Sequence, residues 1–148
     1  MDIGVVVVTH GQLAAELVNA AETIVGDLPR FAAVSIGWHE DVEDARAEIR
    51  AAIDRVRGPK GVLILTDMFG GTPSNLGVTL LEPDQVELIT GVNLPMLIKL
   101  ARLSSPASLL DIAREMREHG RHAIWVASDL LHGEGPAKRA KDDRPDGP

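Results

Sequence analysis

The chain has 148 residues, of which 45% are hydrophobic and 25% charged, with a formal net charge of −7; these are the values of one globular domain that buries roughly two-thirds of its unfolded surface. The negative balance works against nucleic acid or an anionic membrane as a partner, and two Trp, two Phe and no Tyr leave little for base stacking. The lack of cysteine excludes disulfides, thiol catalysis and thiolate metal sites, and with Asp2 in place of a basic leader and no apolar run near ~20 residues, a cytoplasmic protein without direct membrane insertion is expected.

The first element is the run Ile3-Gly4-Val5-Val6-Val7-Val8-Thr9-His10-Gly11. So many β-branched residues in succession predict a central strand covered on both faces. A helix follows to about residue 25, with Leu13, Leu17, Ala20, Ala21 and Ile24 on one face and Gly26 ending it. A short strand is expected over 31–36, stopped by Gly37. Asp41 can cap a second helix in which Val42, Ala45, Ile49, Ala52, Ile53 and Val56 recur at helical spacing. A turn at 58–60 leads to a third buried strand over 61–65.

That strand runs into Thr66-Asp67-Met68-Phe69-Gly70-Gly71-Thr72-Pro73-Ser74-Asn75. Pro73 suits the first turn of a helix expected over 73–81. A turn at 82–84, a fourth strand over 86–90 and a loop at 91–93 come next, and Asn93 can cap a helix over 94–103. Ser105-Pro106 is expected to start a further helix over 107–119, and residues 121–127 read as a last strand. From residue 133 the composition turns to Gly, Pro and charge, which reads as a disordered tail. Strands alternating with helices predict an open, mainly parallel four-stranded α/β sheet flanked by helices.

Three features can carry chemistry. His10 ends the first strand, at the carboxyl edge where open α/β sheets place their sites. It could be a satisfied polar residue, but Asp67 matches it at the end of the third strand. An aspartate bonded to one ring nitrogen fixes the tautomer, leaves the other nitrogen free as a nucleophile, and stabilises a cationic or phosphorylated ring. The loop after Asp67 offers glycines that let backbone N–H groups approach an anion, with Thr72 and Ser74 as hydroxyl donors. Thr9, Thr66, Gly70, Gly71, Thr72 and Ser74 are the candidate phosphoryl-binding residues. No Gly-Lys-Ser/Thr follows, so this is not a nucleotide phosphate loop. The third feature, Trp38-His39-Glu40-Asp41, is expected on the same edge, either as plain surface or as a frame for a partner or the phosphoryl group. No His, Asp and Glu set has metal-ligand spacing, and no cofactor is expected.

The motifs Val8-Thr9-His10-Gly11, Leu65-Thr66-Asp67-Met68-Phe69-Gly70-Gly71-Thr72-Pro73-Ser74-Asn75 and Ile89-Thr90-Gly91-Val92-Asn93-Leu94-Pro95-Met96 resemble, in order and spacing, the IIA domain of the mannose-type bacterial sugar phosphotransferase system. The resemblance covers about residues 3–127. It implies that His10 accepts a phosphoryl group from the histidine-containing phosphocarrier protein and passes it to a IIB component on another chain, for sugar uptake or regulation. It also implies that Asp67 partners the histidine, that Gly71 and Thr72 belong to the phosphoryl-binding loop, and that the chain forms a homodimer by exchanging its last strand. The domain then spans residues 1–128, with a C-terminal segment over 129–148. The family often has Pro-Gly where this chain has Trp38-His39.

Other classes compete. A related phosphocarrier subunit feeding a dihydroxyacetone kinase shares the fold and the histidine, whereas the fuller Gly-Gly-Thr-Pro-Ser-Asn run favours the mannose type. A histidine phosphatase would need an arginine where Thr9 stands. A non-catalytic anion-binding regulatory module would differ by failing to become phosphorylated.

Overall fold

A computed structural model describes residues 2–133. The elements in chain order are β1 (Gly4–His10), α1 (Leu13–Val25), β2 (Phe31–Ile36), α2 (Val42–Val56), β3 (Val62–Thr66), α3 (Thr72–Val78), β4 (Val86–Thr90), α4 (Leu94–Ala101), α5 (Leu109–His122) and α6 (Ala127–Leu131). The four strands form one sheet in the order β2-β1-β3-β4, and all three pairings are parallel.

The valine run explains the layering. Val5, Val6, Val7 and Val8 are fully buried, and successive side chains leave a strand on opposite faces. Val5 and Val7 join Leu63, Leu65, Ala14, Val18, Leu97, Leu100, Ile112 and Met116 in one core. Val6 and Val8 join Ile64, Val34, Ile49, Ile53 and Leu76 in the other. Helices α1, α4 and α5 thus cover one face and α2 and α3 the other. At about 2 kcal/mol per fully buried valine, an upper estimate, β1 alone supplies a large part of the driving force. Gly4 admits the second layer, since a Cβ there would collide with the Val56 carbonyl.

Two caps form as expected. Asp41 Oδ1 accepts from the N–H of Glu43 and Asp44 at 2.8 and 3.1 Å. Asn93 Oδ1 accepts from Met96 N–H at 3.2 Å, while its Nδ2 donates to the Gly120 carbonyl at 3.0 Å.

The end of the chain differs from expectation. The helix begins at Leu109, because Ser108 Oγ accepts from Asp111 N–H at 3.2 Å and caps it there. It then runs through Gly120 to His122, so residues 121–127 are not a strand of this sheet. Gly120 is no helix stop. A Cβ there would strike the Met96 side chain, so the glycine admits α4 against α5. After Ala123, residues 124–126 belong to no helix or strand, and α6, which the sequence reading did not contain, follows. The tail expected from residue 133 lies, from 134 on, outside the described residues. Among the described residues no helix is long and apolar enough to cross a membrane.

Candidate functional site

From β1 the chain steps outward to β2 on one side and returns to β3 on the other. The carboxyl ends of β1 and β3 therefore flank the point where strand order reverses, and this opens a crevice at that edge. His10 is the last residue of β1, and Asp67 immediately follows β3.

The two residues are joined closely. His10 Nδ1 lies 2.7 Å from Asp67 Oδ2, and the same oxygen accepts from the His10 backbone N–H at 3.1 Å. Asp67 Oδ1 accepts from Met68 N–H at 2.9 Å. Burial alone would push the Asp67 carboxyl up. The bonds from the His10 ring and backbone, the charge of His10 and the Met68 N–H outweigh it and hold the group below the ordinary carboxylate range. An ionised carboxylate can only accept, so Nδ1 carries a proton, and in the neutral form of the ring the lone pair is on Nε2. The His10 side chain is 51% exposed and that of Asp67 only 16%; the ring is open to solvent and the carboxylate stays sheltered.

The glycine loop closes over the ring. A Cβ on Gly71 would sit 2.8 Å from His10 Cε1 and 3.1 Å from Nε2. Gly71 has an ordinary φ of −89°, so its lack of a side chain matters for space alone. Gly70, at φ +91°, occupies the left-handed region where other residues are strained. Gly70 N–H donates to Ser74 Oγ at 2.9 Å, and that hydroxyl donates to the Gly71 carbonyl at 3.1 Å.

Three of the candidate phosphoryl-binding residues have buried side chains. Ser74 is buried and its hydroxyl is spent bracing the loop. Thr9 is fully buried; its Oγ1 accepts from Ala14 N–H at 2.6 Å and donates to the His10 carbonyl at 3.1 Å. It ties the start of α1 to the end of β1, a role the sequence reading missed. Thr66 is also fully buried, and its Oγ1 has no hydrogen-bond partner among the described residues. Gly71 stands beside the ring, and Thr72 is exposed at the start of α3. His39 stands in the exposed turn after β2, its ring 6.3 Å from that of Trp38 in an edge-on arrangement. It shares no hydrogen bond with His10 or Asp67.

Residues 4–116 match the family model for the PTS system fructose IIA component, EIIA-man. The chain belongs to this mannose-type IIA family. It is 32% identical over 134 residues to the mannose-specific EIIAB component of Escherichia coli (strain K12), across 84% of this chain and 40% of that protein. To the fructose-specific EIIA component of Bacillus subtilis (strain 168) it is 27% identical over 130 residues, across 87% of this chain and 89% of the other. The mannose/sorbose-specific IIA subunit from Enterococcus faecalis superposes with a TM-score of 0.75 at 28% identity, covering 85% of this chain and 95% of that one. The chain thus spans about two-fifths of the length of the E. coli relative. IIA components of this family are phosphotransferases that work through a phosphohistidine, and the four-stranded parallel sheet between helices is their fold.

Proposed function

We propose that Nε2 of His10 is the phosphoryl-accepting atom of this IIA component, that the donor is the histidine-containing phosphocarrier protein, and that a IIB component receives the group in a cytoplasmic relay serving sugar uptake. The observation that carries this reading is the 2.7 Å contact of His10 Nδ1 with Asp67, which assigns the lone pair of the neutral ring to Nε2, the nitrogen beside Gly71. As the phosphoryl group arrives, the ring becomes cationic, and the ionised Asp67 stabilises it. Gly71 and Thr72, at the first turn of α3, are suited to receive phosphoryl oxygens, because the first N–H groups of a helix have no acceptor within it.

The reading includes a homodimer. Ile124 and Val126 are exposed, β4 is an edge strand, and a groove beside it is lined by Leu88, Ile89, Leu110 and Ala113. An extended segment from a second copy would cover that edge, as unpaired edges generally require. The test of the carrier role is incubation with phosphoenolpyruvate, enzyme I and the phosphocarrier. One acid-labile, base-stable phosphate is expected, absent from His10→Ala and kept by His39→Ala. A label that survives His10→Ala would refute the reading.

A further inference from the structure

Resting on His10 as the phosphoryl acceptor, we propose that Trp38 is the anchor with which this chain seats the phosphorylated carrier protein over the site. Leu13, Met68 and Phe69 complete with it an apolar lip that keeps water from the transferring group.

The topology sets the lip around the histidine. His10 pairs with Ile36 in the sheet register, so Trp38 stands two residues past the position beside His10. Met68 and Phe69 follow Asp67 on the opposite side of β1, and Leu13 opens α1. Trp38 is 93% exposed, Phe69 79%, Met68 55% and Leu13 47%. The chain has only two Trp and two Phe; half of these large aromatic side chains thus stand in solvent at one sheet edge, where they contribute little to folding. Such a patch marks a protein-binding surface, and Trp is the commonest energetic anchor of one.

Trp38 is held out by a built turn. Glu40 N–H donates to the Gly37 carbonyl at 3.3 Å, and Gly37 N–H donates to Glu40 Oε2 at 3.0 Å. The turn runs directly into the Asp41 cap of α2, so the backbone that carries the indole has little ordering left to lose on binding. Glu40, Asp41 and Asp44 make this flank acidic, while Glu43 is paired with Arg46. The complementary partner face is apolar with cations on its rim.

The chemistry requires such a lip. The Nε2 lone pair forms the new N–P bond as the donor ring's N–P bond breaks, and that electron pair returns to the donor nitrogen. The positive charge leaves the donor imidazolium and appears on His10, opposite Asp67. Water admitted at this moment would take the phosphoryl group instead.

The test compares two donors on wild type, Trp38→Ala and Trp38→Phe: the phosphorylated carrier protein, and phosphoramidate, which is too small to need a docking face. The second-order rate constants for His10 labelling are measured by rapid quench. For Trp38→Ala the carrier-to-phosphoramidate ratio is expected to fall about tenfold or more, and for Trp38→Phe to recover most of the loss. An unchanged ratio, or an equal fall with both donors, would overturn the assignment of Trp38. If neither donor labels wild-type His10, the underlying reading of the histidine fails, and the docking proposal with it.

Discussion

One carboxylate oxygen of Asp67 holds His10 twice, through the ring Nδ1–H at 2.7 Å and through the backbone N–H at 3.1 Å. The backbone contact fixes where β1 ends, and the ring contact fixes how the imidazole turns. In the proposed transfer, the accepting nitrogen is therefore positioned by the same group that offsets its later charge.

Asp67→Asn keeps the size and removes that charge. The variant is expected to fold with an unchanged far-UV spectrum and to transfer phosphate roughly 100-fold more slowly, measured by rapid quench. Its acid stability should change as well. The folded carboxyl lies below its unfolded value, so its contribution is present above the ordinary value of ~3.9 and is lost as pH falls through the folded one. Denaturation of Asp67→Asn should depend less steeply on pH in that acid window. Wild-type transfer rates would make Asp67 merely structural.

Gly71→Ala separates reactivity from stability. The new methyl would press on Cε1 and Nε2 of His10, a half-exposed ring that can swing aside. The free energy of chemical unfolding should change by less than about 1 kcal/mol, while labelling of His10 drops more than about tenfold. Equal labelling of the two proteins would show that the loop does not register the ring.

The two buried threonines should behave in opposite ways. Thr9→Val strips the acceptor from Ala14 N–H at the start of α1 and is expected to cost about 1 kcal/mol, as loss of a helix cap does. Thr66→Val replaces an orphaned buried hydroxyl with a methyl of the same shape and should be neutral or stabilising by up to about 1 kcal/mol, with phosphotransfer retained. Urea titrations with an activity assay check both, and loss of transfer in Thr66→Val would return that residue to the phosphoryl-binding set.

The proposed homodimer makes a direct prediction. Ile124→Asp should convert a dimer seen by light scattering at micromolar concentration into a monomer, because a charge enters an apolar strand contact. Removal of residues 133–148 should leave the dimer intact. A monomeric wild-type chain would remove the strand exchange.

The parallel sheet was legible because β1 and β3 are too apolar to be anything but central strands, and their ends carry the pair His10 and Asp67. The caps at Asp41 and Asn93 were legible because each precedes an apolar helical period. The helix expected to end at residue 119 runs on to His122, because Gly120 admits Met96 against it, a packing contact with no local signature. Ser108 was passed over because Pro106 offered an earlier start. Thr9 and Ser74 were read as ligands for an anion, yet a hydroxyl that can donate to phosphate can equally brace a backbone. Only the packing of α1 and of the Gly70-Gly71 turn decides between the two. The closeness of Gly71 to His10 joins residues far apart in the chain and leaves no local trace.

The central claim is that Nε2 of His10 carries the phosphoryl group. Nitrogen-15 NMR of the imidazole rings, before and after incubation with phosphoenolpyruvate, enzyme I and the phosphocarrier, reads both the residue and the atom. A single new phosphorus-coupled signal from Nε2 of His10, with Nδ1 still protonated, is the expected result. Phosphorylation at Nδ1, a signal from His39, or unchanged spectra with a carrier that labels another IIA component would contradict it.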